Sequence, residues 1–241
     1  TRAGFGHGFG TRRALPEELP GGINILLQVH GERIVFLSEN TMRVQSARNK
    51  AQSENLQLST QSPPASPFRF AEGDALVTDI PGVSIGIRTA DCLPLLIADP
   101  GTGAAAAVHC GWRSLALGLA GKALGTLAEI TGTGPSGLVA VLGPSIGPCH
   151  YEVGQDVRRA FGAGPGSDPA FETRGGRLFL DLGAVVKAQL LEGGMDPGDI
   201  EEVVGCTVCN RELFWSYRAG DEEERMVSFI TARGNRGRAG A

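Results

Sequence analysis

Three residues able to hold a metal are spread through the first half of a 241-residue chain: His30, Cys92 and His109. Two neutral imidazoles and one thiolate suit Zn²⁺, and three protein ligands leave the fourth tetrahedral position for water or substrate, as in catalytic rather than structural zinc. Their spacing forms no compact motif. The same residues therefore also read as a small buried cysteine and two hydrogen-bonded histidines at strand ends. Context tilts the balance toward chemistry, because Asp91 and Arg113 stand beside the candidate ligands and a charge next to a core cysteine needs a reason. Two further readings use the same atoms. Cys92 as nucleophile with His109 as base would make a thiol hydrolase, and two histidines with one cysteine also describe a blue-copper centre. Multicopper oxidation needs many more histidines than His7, His30, His109 and His150, the four in this chain, and is rejected on that count.

Other candidates are weaker. Cys206 and Cys209 form a CxxC in "GCTVCN", but the neighbouring sequence offers no second CxxC or histidine pair, so two ordinary thiols at a strand end is the better reading. "GPSIGPCHYEVG" (Gly143 to Gly154) reads as a tight turn before a helix without a phosphate-loop or dinucleotide fingerprint. Phe214, Trp215 and Tyr217 beside Arg218 could hold a purine or a sugar, although such clusters more often pack at a sheet edge.

The elements that must position these residues are strand-rich. "DALVTD", "GVSIGIRTADCLPLLIAD" and "GAAAAVHCGW" predict strands, as do "GHGFGTRR", the two apolar halves of Gly22 to Leu37 with His30 at a strand end or bend, "DIEEVVGCTVC" and "RMVSFITA". The apolar spacing from Leu115 to Ala128 predicts an amphipathic helix with Ser114 as N-cap. Further helices are expected from about Gly154 and from Asp181, the latter ending at Gly193. Ser38 to Phe70 is polar and proline-terminated, and reads as a surface excursion, a partly helical flap or a mobile loop. Strands and helices without strict alternation predict an α+β or mixed-sheet arrangement in one domain spanning 1–241.

Bulk properties narrow the function. With 41% hydrophobic and 20% charged residues the chain is an ordinary globular one, and its net charge of −4 without long like-charge blocks argues against a nucleic-acid or anionic-membrane surface. Five cysteines are an odd number for a disulfide framework and point to a reducing, cytoplasmic setting. No apolar run approaches the roughly 20 residues of a membrane span. A small-molecule substrate remains.

Assembled in order, "HGFGTR" (His7 to Arg12), "QVHG" (Gln28 to Gly31), "TADCLP", "AAVHCGWRS" (Ala106 to Ser114), "GPSIGPCHYEVG" and "CTVCNRELFWSYR" (Cys206 to Arg218) resemble the YfiH family of zinc-dependent purine nucleoside phosphorylases, also described as laccase-domain proteins. The resemblance implies a four-layer αββα sandwich with mixed β-sheets and one zinc site held by His30, Cys92 and His109. It implies phosphorolysis of adenosine, inosine, guanosine and methylthioadenosine, with adenosine deamination as a further activity. Some members are linked to editing of peptidoglycan precursors, so a cysteine or zinc hydrolase acting on such a precursor is the alternative. A zinc-stapled binding module is the non-enzymatic one. Within the matched motifs, Asp91 or Glu152 would move protons in deamination, and Arg12 and Arg113 would clamp phosphate. Tyr217 and Arg218 join the expected substrate contacts. The usual segment before "QVH" is shortened here, the following excursion is longer, and Ala219 replaces a common arginine, which puts substrate range in question.

Overall fold

The computed structural model describes residues 4–12, 22–38, 41–45, 54–56, 72–162 and 170–234. In chain order the strands are β1 (Gly6–Phe9), β2 (Asn24–Ile25), β3 (Ile34–Ser38), β4 (Thr41–Gln45), β5 (Glu54–Leu56), β6 (Ala75–Thr78), β7 (Ser84–Thr89), β8 (Leu93–Ala98), β9 (Ala105–Cys110) and β10 (Val139–Leu142). They continue with β11 (Glu152–Val153), β12 (Phe171–Arg174), β13 (Arg177–Leu180), β14 (Ile200–Glu202) and β15 (Met226–Thr231). The α-helices are α1 (Trp112–Ala116), α2 (Leu119–Thr131), α3 (Gln155–Phe161) and α4 (Leu182–Glu192).

The strands form an eight-stranded sheet in the order β14-β10-β8-β9-β6-β3-β4-β5, a four-stranded sheet β1-β15-β7-β2, and a small sheet β11-β13-β12. Most pairs are antiparallel, but β3 with β6, β10 with β14 and β2 with β7 are parallel, so the sheets are mixed as expected.

Period-two alternation divides the core in two. Ala106, Val108 and Cys110 of β9 face a cluster built with Leu115, Leu124, Leu127 and Val185 of the helices. Ala105 and Ala107 face the other way, against Ile85 and Ile87 of β7 and Ile230 of β15. The eight-stranded sheet is thus sandwiched between helices and the second sheet. That explains why its central strands are apolar on both faces.

Two local expectations need correction. Ser114 caps nothing: the helix begins at Trp112 behind Gly111, and Ser114 lies buried inside it. The apolar spacing then runs across a break at Gly118, whose φ of 78° is a left-handed conformation that opens α2. The polar excursion from Ser38 is also not structureless throughout, since β4 and β5 extend the large sheet from β3 by backbone pairing. The remainder of that stretch lies outside the described residues. The other helix signals hold: Gly154 precedes α3, and Asp181 caps α4 by accepting from Ala184 N at 3.0 Å.

Candidate active site

β9 is flanked in antiparallel register by β8 and β6, with Leu93 opposite Cys110 and Ala75 opposite Val108. The residues just before those two strands, Cys92 and Asp74, are therefore delivered to the far end of β9, where His109 stands. His109 shares the parity of Ala105 and Ala107, so its ring turns into the space between the two sheets. His30 reaches the same point from the bend between β2 and β3, in a left-handed conformation with φ of 57°. The potential ligand atoms of His30, Cys92 and His109 all lie within 4.8 Å of one another. Cys92 Sγ is 4.0 Å from His30 Nε2.

Asp74, fully buried, organises this cluster, although in sequence it marks only the start of the "DALVTD" strand. Its Oδ1 accepts from His30 N at 2.9 Å and from His109 Nδ1 at 2.8 Å. Its Oδ2 accepts from Gly31 N at 2.6 Å and Val29 N at 3.3 Å. One carboxylate thus holds the His30 bend and fixes the tautomer of His109 so that Nε2 faces Cys92, an arrangement typical of carboxylate-backed metal-binding histidines. The available signal is an acidic residue placed directly before the apolar run Ala75, Leu76 and Val77.

The electrostatics agree. Burial alone would push the Cys92 thiol up, but the facing rings of His109 and His30 outweigh it and bring it down to about 6. Burial would push the His109 imidazole down, but the Cys92 thiolate and Asp74 carry it up to about 9. The two histidines thus favour the Cys92 thiolate, the form that ligates metal or attacks an electrophile. Gly111 leaves room at the centre: a Cβ there would stand 3.1 Å from His30 Cδ2 and 3.2 Å from Cys92 Sγ. An N, S, N donor set, backed by a carboxylate and closely approached by a glycine, fits a metal such as zinc.

The cluster lies in the wall of a cavity of about 620 Å³ that Arg88, Arg113, Arg218 and Arg225 also line. Trp112, Tyr151 and Tyr217 supply aromatic wall, and Gln28 is locked there by exchanging hydrogen bonds with the Arg88 backbone at 2.7 and 2.8 Å. Arg88, Gln28, Tyr151 and Arg225 are cavity residues beyond the expected set; Gln28 and Tyr151 lie within the motifs "QVHG" and "GPSIGPCHYEVG", whereas nothing local marks Arg88 or Arg225.

The structure brings Asp91, Cys92, Arg113, Tyr217 and Arg218 into the same cavity and leaves Arg12 and Glu152 off its wall. Arg12 lies 3.7 Å over the Trp215 ring and donates to Arg211 O at 2.5 Å, an anchor for the segment around Trp215. Glu152 pairs with Arg177 at 3.2 Å. Asp91 has both carboxylate oxygens engaged, accepting from Thr207 Oγ1 at 2.6 Å and from Arg218 N at 2.7 Å. The CxxC is also not two isolated thiols: Cys206 and Cys209 meet Cys149 and His150, with all four potential ligand atoms within 4.8 Å of one another.

A family model described as multi-copper polyphenol oxidoreductase laccase matches residues 12–233. The chain belongs to this laccase-like YfiH family. A relative in Shigella flexneri named purine nucleoside phosphorylase YfiH is 34% identical over 168 residues, 68% of this chain and 65% of that protein. One in Aquifex aeolicus named purine nucleoside phosphorylase is 36% identical over 159 residues, covering 66% of this chain and 70% of that protein. The chain thus spans about two thirds of the length of these YfiH relatives. The crystal structure of a Bacillus licheniformis hypothetical protein YfiH superimposes with a TM-score of 0.72 at 29% identity, covering 88% of this chain and 74% of that one. Among the described residues no helix is long and apolar enough to cross a membrane.

Proposed function

We propose that this chain is a zinc-dependent purine nucleoside phosphorylase, with His30, Cys92 and His109 as the metal ligands and the arginine-lined cavity as the nucleoside and phosphate site. The observation that carries the reading is the composition of that one cavity. Four guanidiniums face two carboxylates, Asp91 and Glu223, and Asp91 is already committed to Thr207 and Arg218. A surplus of forked cations in a concave site suits a phosphate dianion. Three aromatic rings suit a planar base, and the volume lies within the range of small-ligand sites. When bound, zinc would supply a fixed positive charge and Lewis acidity toward a substrate oxygen at this wall.

The chain's own residues would do the rest. In phosphorolysis a phosphate oxygen bonds to the anomeric carbon as the bond to the purine nitrogen breaks, and the leaving base takes up a proton. Arg113 and Arg218 would orient the phosphate, with Arg88 and Arg225 completing the cationic wall. Arg218 is well placed for this because its Nη1 donates to Glu152 O at 3.0 Å and to His150 O at 3.4 Å, which fixes the head group beside Tyr151. Tyr151 is itself buried enough that its phenol is pushed above its ordinary range, so it stays neutral as a wall or hydrogen-bond donor. Deamination asks for a carboxylate at hand for proton transfer. Asp91 is engaged and Glu152 lies off the wall, which leaves Glu223 as the cavity carboxylate for that role, whereas the surplus of guanidiniums speaks for phosphorolysis. Laccase chemistry has little, because His7 bonds Phe5 O and His150 belongs to the cysteine cluster, which leaves two histidines in the cavity.

The test is zinc-loaded protein with inosine or adenosine, with and without inorganic phosphate. Phosphate-dependent release of base with formation of ribose 1-phosphate supports the reading. Protein that binds metal normally yet releases no base from any purine nucleoside refutes it.

A further inference from the structure

We infer that this chain carries a second metal site, a structural zinc held by Cys149, His150, Cys206 and Cys209. The sulfurs of Cys149 and Cys209 are 3.7 Å apart, and His150 Nδ1 lies 3.3 Å from Cys149 Sγ, 3.4 Å from Cys209 Sγ and 3.8 Å from Cys206 Sγ. Zinc with Zn–S of about 2.3 Å and Zn–N of about 2.0–2.1 Å in a tetrahedron sets its ligand atoms roughly 3.4–3.8 Å apart. The 3.7 Å between sulfurs and the 3.3, 3.4 and 3.8 Å between the ring nitrogen and the sulfurs are close to that spacing, and all four atoms lie within 4.8 Å of one another. Three sulfurs and one imidazole from the chain also close the coordination shell, which is the mark of a structural rather than a catalytic site.

The backbone is built to hold this arrangement. Gly147 N donates to Cys206 Sγ at 3.3 Å, and a Cβ on Gly147 would stand 3.2 Å from both Cys149 Sγ and Cys206 Cβ. The loop folds back on itself through His150 N and Tyr151 N to Gly147 O, each at 3.0 Å. On the other side Asn210 clamps the CxxC turn, its N and Nδ2 donating to Cys206 O at 3.1 and 2.9 Å. Ser145 and Cys206 pair as an isolated parallel bridge between the two segments. Ligation displaces three thiol protons and leaves a centre of net charge −1. Arg174 donating to Pro148 O, and Arg218 donating to His150 O, place cations beside it.

The site would staple the loop carrying Tyr151 to the turn that leads into Tyr217 and Arg218, two segments brought together from about sixty residues apart in the chain. It stands apart from the reaction proposed above and does not depend on it. All five cysteines are free thiols, so no disulfide competes with this ligation in the structure.

Zinc content should be measured by elemental analysis on reduced wild type, on Cys92→Ala, and on the double variant Cys206→Ser/Cys209→Ser. We expect two equivalents in the wild type and one in each variant. X-ray absorption of the Cys92→Ala protein should show the remaining zinc with three sulfurs and one nitrogen, a readout that holds even if the double variant does not fold. Wild type and the double variant with equal zinc would overturn the inference, as would a remaining zinc in Cys92→Ala that is not sulfur-rich. Failure of the phosphorylase reading would instead appear as absent base release with both zinc equivalents in place.

Discussion

Asp74→Asn is the sharpest probe of how the candidate active site is built. The substitution keeps shape and removes one acceptor. In the wild type each carboxylate oxygen serves two donors: Oδ1 takes His30 N and His109 Nδ1, and Oδ2 takes Val29 N and Gly31 N. An asparagine must place its NH₂ at one of those positions: at Oδ2 it faces Val29 N and Gly31 N, and at Oδ1 it faces His30 N, with His109 escaping the clash by moving its ring proton to Nε2. The side chain itself is wholly buried. Each stranded donor costs about 1–3 kcal/mol, so with one or two of them the variant should lose about 1–6 kcal/mol of unfolding free energy. Separately, an unbacked His109 should weaken metal binding by about 10- to 100-fold, the usual effect of losing such a partner. Urea unfolding in the presence of chelator reads the first quantity, and competition against a chromogenic chelator reads the second. A variant within 0.5 kcal/mol of wild type by the first assay, a margin comparable to an ordinary surface substitution, would refute the account of Asp74 as the shared anchor of both histidines. Unchanged zinc affinity would refute its role behind the metal.

Further outcomes follow from individual contacts. Gly111→Ala should weaken zinc binding at His30, Cys92 and His109 while the chain stays folded, because the added methyl would press on two ligands at 3.1 and 3.2 Å; zinc affinity against circular dichroism checks this. Arg218→Ala should raise KM for phosphate by about 10- to 100-fold, the equivalent of about 1.5–3 kcal/mol for charged hydrogen bonds. Arg12→Ala, which loses its place over Trp215, should leave that KM within a factor of about two and instead lower the melting temperature; steady-state kinetics and calorimetry separate the two. Burial pushes the Asp99 carboxyl up, but donation from Thr133 Oγ1 at 2.6 Å, with Thr102 N and Gly101 N, outweighs it and holds the group below its ordinary value. Because the folded value is the lower one, its stabilisation is complete above about pH 4 and is lost as pH falls through the folded value. Asp99→Asn should therefore flatten the acid limb of a stability-against-pH curve and leave the neutral-to-basic limb parallel to wild type.

What could be read from sequence was what local chemistry dictates. Asp181 announced α4 because a cap needs only its own neighbours, and β8 and β9 announced themselves because both faces of a central strand are apolar. His30, Cys92 and His109 were recognisable by residue type and by a family pattern, while their convergence depended on antiparallel register that no local window contains. The break at Gly118 was hidden because the apolar spacing continues through it. The CxxC misled for the opposite reason: its partners, Cys149 and His150, are about sixty residues away, and long-range contacts such as the bridge between Ser145 and Cys206 and the Gly147 N bond to Cys206 Sγ bring them together.

Asp91 shows most clearly how position changes a residue's meaning. Beside a cysteine in sequence, a carboxylate invites a role in proton transfer. In the fold its left-handed backbone, with φ of 86°, turns Cys92 toward the histidines, its carbonyl accepts from Ile146 N at 2.9 Å, and its carboxylate takes Thr207 and the Arg218 backbone. One residue therefore ties together the turn of the metal-ligating thiolate, the loop that carries Cys149 and His150, and the segment that presents Arg218 to the cavity. A left-handed non-glycine residue is kept only where its surroundings over-determine it, and three separate segments do so here. The charge that looked out of place beside a core cysteine is accounted for by that junction, and the two cysteine-histidine clusters meet through it.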